Sequence, residues 1–287
     1  MQSTRCKLLR SLLLLSICGF FFYPNLAQAG PWSKDTGGFY VKLNQNVFLA
    51  NGFRNAQGVF QDDVFYTGIT TSAYFEVGIY GGLQVIGNVP YTVAINAFSD
   101  GARFTQGSPG DAQLGLQWMP QFKMPVVMAV RLNVWIPMYD INTFTDRYPD
   151  VGSRFPVHGD GQVDVTLWYS IGGTIPRTPL YTFAEVGYRF RTEAFMGQDP
   201  GRAFLDTFVF NFQLGWTFWR RLIMTANVRG TIALGEDTLS QSFITVGPGF
   251  YLPVWKGLAI ELSYDATVWA KNASMGHSVA LGISYNK

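Results

Sequence analysis

The stretch DTFVFNFQLGWTF, residues 206–218, alternates between apolar and polar side chains almost without interruption. The large apolar residues share one parity: Phe208, Phe210, Phe212, Leu214, Trp216 and Phe218. The other parity holds mostly small or polar residues: Thr207, Asn211, Gln213, Gly215 and Thr217. Because successive side chains of a β-strand point to opposite faces, the pattern predicts a strand with one apolar and one polar face. The apolar face must then cover either a protein core or lipid.

The same two-residue period returns along the whole chain, and no window predicts an amphipathic helix. It predicts an all-β fold with about 12 strands in one antiparallel sheet, of the length that a tilted strand needs to cross a bilayer, ~9–11 residues. The segments are 38–50, 64–78, 83–97, 111–119, 126–138, 163–174, 180–192, 204–218, 221–235, 243–253, 258–271 and 278–285. Pro120 and Pro125 blur one hairpin, so a count of 10 to 14 stays open. Pro90 and Pro248 lie inside strands, and each is predicted to mark a bulge.

The first 29 residues have the pattern of a secretory signal peptide. Three basic residues precede the apolar run SLLLLSICGFFF, and Ala27-Gln28-Ala29 forms a small-x-small cleavage motif. We therefore predict cleavage after Ala29, which leaves residues 30–287 as the mature barrel. An uncleaved N-terminal anchor is the alternative, but the apolar run is short for a span of ~20 residues.

Charge and cysteine content change once this leader is removed. Lys and Arg fall from 21 to 18 against 19 acidic residues, because residues 1–29 contain three basic and no acidic side chains. The mature chain therefore has no basic surplus for nucleic acid. Cys6 and Cys18 also lie in the leader, so neither a disulfide nor a thiolate metal site is predicted. No cofactor is predicted, and HGDGQVD at residues 158–164 lacks the EF-hand spacing for calcium.

The connections between the predicted strands alternate in length. Long loops such as residues 140–162 alternate with short turns such as IYGG and IPRTP, as in outer-membrane barrels. Charged residues make up only 14% of the chain, against about 25% in soluble domains. Aromatic residues near both strand ends predict two interfacial girdles: Trp118, Trp216, Trp219 and Trp255 by the short turns, Phe48, Tyr139, Phe190 and Trp269 by the long loops.

These patterns together predict a single transmembrane β-barrel in the cell outer membrane. The barrel must be closed, because an open sheet edge would leave unpaired amides in hydrocarbon. The apolar face of residues 206–218 is then expected to contact outer-membrane lipid. A barrel-assembly machinery would be a partner during insertion, and a small-molecule solute would be the ligand.

Three stretches carry a resemblance to a known family: YGGLQVIGNVPY (80–91), GSPGDAQLGLQW (107–118) and VWAKNASMGHSVALGISY (268–285). With their spacing they resemble the outer-membrane family named for the meta-pathway of phenol degradation, a group of FadL-like transporter barrels. The family usually has Gly-Leu-Gly-Asp where this chain has SPGD at 108–111, and it usually ends in an aromatic residue, whereas Asn286 and Lys287 follow Tyr285 here. The resemblance implies passive uptake of small compounds, hydrophobic or aromatic ones among them.

Strand parity turns a set of charged side chains towards the lumen, where they could line a permeation path and set its selectivity. The candidates are Lys42, Arg131, Asp164, Glu185, Arg189, Arg191, Arg229, Glu261 and Asp265, and Glu76 and Asp111 share their parity. Their signs nearly balance, so a packed ion-pair network is the alternative. Glu185, Arg189 and Arg191 share one strand and are the best candidates for a charged constriction. Twelve strands lie between a filled barrel of ~8 and an aqueous channel of 16–18, so we expect a narrow pore.

Two other functions stay open at this point. A structural or adhesive surface barrel would lack an open pore, and the loop at 140–162 would stay outside the barrel rather than fold inward. A hydrolase at the barrel rim would need a hydroxyl, a base and an orienting group within hydrogen-bond reach. His158 and His277 are the only histidines, and Ser274 and Ser278 flank the second without a recognisable motif, so we predict no enzyme.

Overall fold

The computed structural model describes residues 30–122, 124, 126–139, 147–148, 150–156, 159–195, 204–218, 222–237 and 239–287. The predicted signal peptide, His158 and Trp219 lie outside the described residues. Within these ranges no helix has the length and apolarity to cross a membrane. The strands are β1 (Phe39–Arg54), β2 (Phe60–Gln61), β3 (Val64–Tyr80), β4 (Leu83–Phe98), β5 (Arg103–Pro109), β6 (Asp111–Trp118), β7 (Val127–Pro137), β8 (Gln162–Thr174), β9 (Leu180–Phe195), β10 (Thr207–Phe218), β11 (Leu222–Ala233), β12 (Ser242–Trp255), β13 (Leu258–Lys271) and β14 (Ala273–Asn286).

The strands form one antiparallel barrel. Each long strand pairs with its neighbours in sequence, and β14 pairs back with β1 from Tyr40↔Asn286 to Arg54↔Ala273. The short β2 only extends the pairing of β1, while β5 and β6 both pair with β4 and are two halves of one strand. The barrel therefore has twelve strands, and the predicted strand count and closure are confirmed.

A bulge separates β5 from β6 at Gly110, opposite Pro90. The β4 partners run from Tyr91↔Pro109 to Asn88↔Gln113, which leaves one extra residue on the β5–β6 side. Proline has no N–H to donate, and the Pro90 carbonyl accepts from the Gly110 amide at 3.0 Å. The bulge predicted at Pro90 is confirmed.

The bulge predicted at Pro248 is wrong. The β12–β13 ladder omits residues 247 and 248 and resumes in the same register, from Val246↔Ala266 to Gly249↔Ser263. On the other side Pro248 pairs in register with Ala226 of β11. The sheet thus accommodates the missing N–H by a gap in the ladder on one side, without an inserted residue.

The two faces of the wall have the reverse polarity of a soluble protein. Fully buried side chains include the polar Gln84, Gln117, Asn133, Thr166 and Ser170, whereas large apolar side chains are exposed on the outer surface of every long strand except β11. In β10, Phe208, Phe212, Leu214, Trp216 and Phe218 are exposed and Thr207 is buried, as the alternation predicts. Water-soluble proteins bury their apolar side chains. The outer surface is therefore suited to an apolar medium.

Two loops and part of one girdle differ from the sequence predictions. Strand β5 occupies most of the predicted loop at 98–110, and β14 begins directly after Asn272, which has a φ of 54°. The small polar residues of RFTQGSP hide the two-residue period of β5. Phe48 was predicted to lie in the aromatic girdle by the long loops. It instead lines the lumen, because its parity on β1 is that of Lys42. Trp118, Trp216 and Trp255 are exposed on the outer surface as predicted.

Candidate functional site

Two joined cavities occupy one half of the lumen. The outer cavity has a volume of about 710 Å³ and is lined by residues of β1, β3, β4 and β11–β14. The inner cavity has a volume of about 200 Å³ and lies closer to the short turns. Both are lined by Lys42, Asn44, Arg229, Ser263 and Ala280, so these residues mark the junction. The two cavities are therefore adjacent and follow one another along this half of the barrel, and we call them together the path.

Four of the predicted lumen residues line this path in two ion pairs. The Lys42 ammonium donates to Glu261 at 2.7 Å, and the Tyr40 hydroxyl donates to the other oxygen of the same carboxylate at 2.5 Å. Arg229 lies 3.4 Å from Asp265. We refer to these residues, together with the two cavities, as the open half of the lumen.

The other five predicted residues lie in the opposite wall, formed by β6–β9, and line neither cavity. Arg131 lies 3.4 Å from Glu185 and 5.3 Å above the Trp168 ring. Glu185 also accepts from Ser170 at 2.8 Å and from Asn211 at 3.3 Å. We call this side the packed half, since its charged side chains pack against neighbouring side chains and line neither cavity.

The packed half continues towards the long loops through Arg191. The Arg191 guanidinium pairs with Asp160 and lies 3.0 Å from Asp164, and its side chain is only 7% exposed. Arg189 lies 5.0 Å above the Trp135 ring. Glu185, Arg189 and Arg191 thus follow one strand as predicted, but they pack against neighbouring side chains. Removing one partner of such a buried pair would leave an uncompensated charge.

The described part of the loop at 140–162 contacts the long-loop ends of β4 and β5. Arg154 pairs with Asp100 at 2.5 Å and lies 4.1 Å from the Phe98 ring, and its carbonyl accepts from Asn96 at 3.0 Å. The Phe155 ring lies 5.0 Å from Phe104 in an edge-to-face contact. This described part of the loop therefore packs against side chains of β4 and β5 and of the turn between them.

The ion pair that anchors this loop is present at neutral pH. A hydrogen bond from the Ala102 amide and the Arg154 guanidinium hold the pKa of Asp100 below its ordinary value. Asp100 is therefore charged at neutral pH, and the pair is lost only as the pH falls through this lowered pKa.

The segment before β1, residues 30–36, crosses the lumen at the short-turn end. Near β1, the Lys34 ammonium lies 3.5 Å from Glu76 of β3, and the Lys34 amide donates to Gln84 at 2.9 Å. Further along, Gln117 of β6 donates to the Gly30 carbonyl at 3.3 Å. The segment ends against β9, the seventh of the twelve barrel strands and hence opposite β1.

Trp32 anchors the far end of this segment. Its ring makes edge-to-face contacts with Tyr181 and Phe183 at centroid distances of 6.2 and 6.3 Å. Tyr181 and Phe183 form a buried cluster with Ile223, against which Trp32 and Tyr251 pack. Tyr181, Ile223 and Tyr251 also line the inner cavity. The N-terminal segment therefore lies across the short-turn end of the lumen and packs against residues that line the inner cavity, a position that the strand pattern does not predict.

The remaining histidine does not assemble a catalytic site. His277 is exposed on the outer surface of β14, and its Nδ1 lies 2.7 Å from the Tyr264 hydroxyl. Ser278 follows it directly in the strand and points to the lumen, where it lines the outer cavity. A nucleophile and base at these two positions would face opposite sides of the wall.

The comparisons with known proteins concern the fold. No family model and no curated protein matches the chain. An outer membrane channel from Pseudomonas putida F1 superimposes with a TM-score of 0.72 at 7% identity, over 92% of this chain and 100% of that chain. The NanC porin gives a TM-score of 0.51 at 7% identity, over 85% of this chain and 98% of that chain. The KdgM porin gives 0.50 at 7% identity, over 86% and 98%. These likenesses show the barrel fold, and the resemblance to the phenol-degradation family stays a prediction.

Proposed function

We propose that this protein is an outer-membrane channel through which small solutes pass passively along the open half of the lumen. The observation that carries the proposal is the pair of cavities that meet at Lys42 and Arg229. The apolar outer surface supports a location in lipid. The closure of the barrel supports it too, because a closed barrel pairs its backbone amides within the bilayer. The similarity in fold to a channel and two porins supports transport rather than catalysis.

The lining of the path favours compounds that are small and partly apolar. The inner cavity is lined by the rings of Tyr40, Tyr181 and Tyr251 beside amide and charged groups. Ligand sites commonly combine an apolar wall with a few placed polar groups. This lining agrees with the hydrophobic or aromatic solutes that the family resemblance implies. Lys42, Arg229, Glu261 and Asp265 would set the charge selectivity, because they line the cavities themselves.

Single-channel conductance tests the proposal. Residues 30–287 would be refolded and inserted into a planar bilayer in symmetric salt. We expect discrete steps of low conductance, since the N-terminal segment lies across the short-turn end of the lumen. A complete lack of conductance from inserted protein, with the N-terminal segment present or deleted, would contradict a channel and favour a structural or adhesive barrel.

A further inference from the structure

The inner cavity has an aromatic wall of three tyrosine rings, and two of their hydroxyl groups are engaged within the protein. The Tyr40 hydroxyl donates to Glu261 at 2.5 Å, and the Tyr181 hydroxyl donates to Gln213 at 2.9 Å. These two rings, with Tyr251 and the buried Ile223, line the cavity. Because the Tyr40 and Tyr181 hydroxyls have partners, these two side chains offer a ligand mainly their apolar ring surfaces.

Most polar groups around this wall also satisfy one another. Gln213 donates to Asn227 at 2.6 Å, and Asn227 donates in turn to Thr225 at 3.0 Å and to the Gly247 carbonyl at 3.3 Å. Glu261 already accepts from two donors, the Lys42 ammonium among them. A ligand would have to displace existing hydrogen bonds to use these groups.

Arg229 differs from its neighbours at the cavity junction. Its side chain is 47% exposed towards the lumen, while its acidic neighbour Asp265 is 14% exposed. Their Nη1–Oδ2 distance of 3.4 Å is long for a charged hydrogen bond, which is typically about 2.7–2.9 Å. A guanidinium carries five N–H donors and no acceptor, so a single long contact leaves most of its donors available.

The size of the cavity limits what can bind beside this guanidinium. One water occupies about 30 Å³ of liquid, so a cavity of about 200 Å³ corresponds to roughly seven waters. A single six-membered ring with one short substituent fits that space. The planar fork of a guanidinium matches the two oxygens of a carboxylate. A cationic substituent would instead meet the positive charges of Lys42 and Arg229.

We infer that the inner cavity binds a small aromatic carboxylate, with its carboxylate on Arg229 and its ring against Tyr40, Tyr181 and Tyr251. This inference rests on the proposed function, because the ligand enters through the lumen. Trp32 packs against the cluster that contains Tyr181 and Ile223, and these two residues line the cavity. A bound ligand would therefore lie beside the N-terminal segment.

Titration calorimetry of refolded residues 30–287 in detergent tests the inference with benzoate, benzyl alcohol and acetate. Benzoate should bind about tenfold or more tightly than either of the others, because benzyl alcohol lacks the charge and acetate lacks the ring. Arg229→Gln should remove the preference of benzoate over benzyl alcohol. Arg103→Gln, a change at an exposed position on the outward side of β5, serves as the matched control and should leave binding unchanged.

Equal binding of benzoate and benzyl alcohol would overturn the inference, as would unaltered benzoate binding by Arg229→Gln. If Arg229→Gln does not fold, Arg229→Lys can be used, because it retains the charge but removes the planar guanidinium group, and it should weaken benzoate binding. Unchanged benzoate affinity in Arg229→Lys would also overturn the inference. Conductance without a preference for benzoate would contradict the proposed ligand class but would agree with the proposed channel. Benzoate binding without conductance would support the site and remove the channel.

Discussion

Deletion of residues 30–36 should raise the single-channel conductance several-fold above that of residues 30–287. This segment spans the short-turn end of the lumen, from the Lys34–Glu76 pair near β1 to the contacts of Trp32 on the opposite wall. Removal of this segment would therefore open the short-turn end of the lumen beside the inner cavity.

A single substitution separates this effect from a general disturbance of the barrel. Trp32→Ala should raise conductance less than the deletion does, because Lys34 and Ser33 still hold the near end of the segment. Trp255→Ala is the matched control, since Trp255 is 68% exposed on the outer surface. Equal conductance of the deletion, Trp32→Ala and the unaltered chain would contradict the assignment of residues 30–36 as the closure.

Phe210→Lys should lower the free energy of unfolding in lipid vesicles by about 2–4 kcal/mol, the cost of a lysine on the lipid face near the bilayer midplane. Phe210 lies midway along β10 with outward parity, and its ring covers Gly230 of the neighbouring strand. A lysine there would place a charge in hydrocarbon and uncover the glycine. Gln213→Lys should have a much smaller effect, because Gln213 lines the lumen cavity.

Denaturant titration of both variants after folding into vesicles measures this difference directly. The two variants share the strand and the introduced lysine, and they place it on opposite faces of the wall. Equal loss of stability in Phe210→Lys and Gln213→Lys would contradict a lipid-facing outer surface. A larger loss in Gln213→Lys would indicate instead that the inward side chains form a core.

The sequence predicted the barrel wall well because the two-residue period is local. A segment such as 206–218 states which of its faces is apolar without reference to any other strand. The same rule assigned all nine candidate lumen residues to the inner face of the wall. The rule missed β5, because the small polar residues of RFTQGSP hide the alternation. The girdle prediction at Phe48 was wrong for another reason: it followed from the position of Phe48 near a long loop, whereas the parity of Phe48 on β1 points to the lumen.

The division of the lumen into two halves could not be predicted in the same way. Arg191 and Arg229 have the same inward parity, yet one is packed against Asp164 and the loop residue Asp160 while the other faces a cavity. That difference depends on the position of a loop, whose Asp160 pairs with Arg191. Strand periodicity carries no information on such long-range contacts.

The N-terminal closure was missed for a related reason. Residues 30–36 have no regular period, and they follow a predicted cleavage site, so their sequence suggests only a short lead into β1. Two signals were nevertheless present. Trp32 is a large aromatic residue outside every predicted strand, and Lys34 precedes the first strand of a chain with few charges.

The central claim is that solutes pass along the open half of the lumen, and site-directed thiol modification tests it most directly. Residues 30–287 contain no cysteine, so single cysteines can be introduced in each half. Ser263→Cys lies at the junction of the two cavities, and Ser170→Cys lies fully buried beside Glu185 in the packed half. Channel current would be recorded before and after addition of a negatively charged methanethiosulfonate reagent. We expect a lasting fall in current for Ser263→Cys and no change for Ser170→Cys; the reverse pattern, or no response at Ser263, would contradict the proposed path.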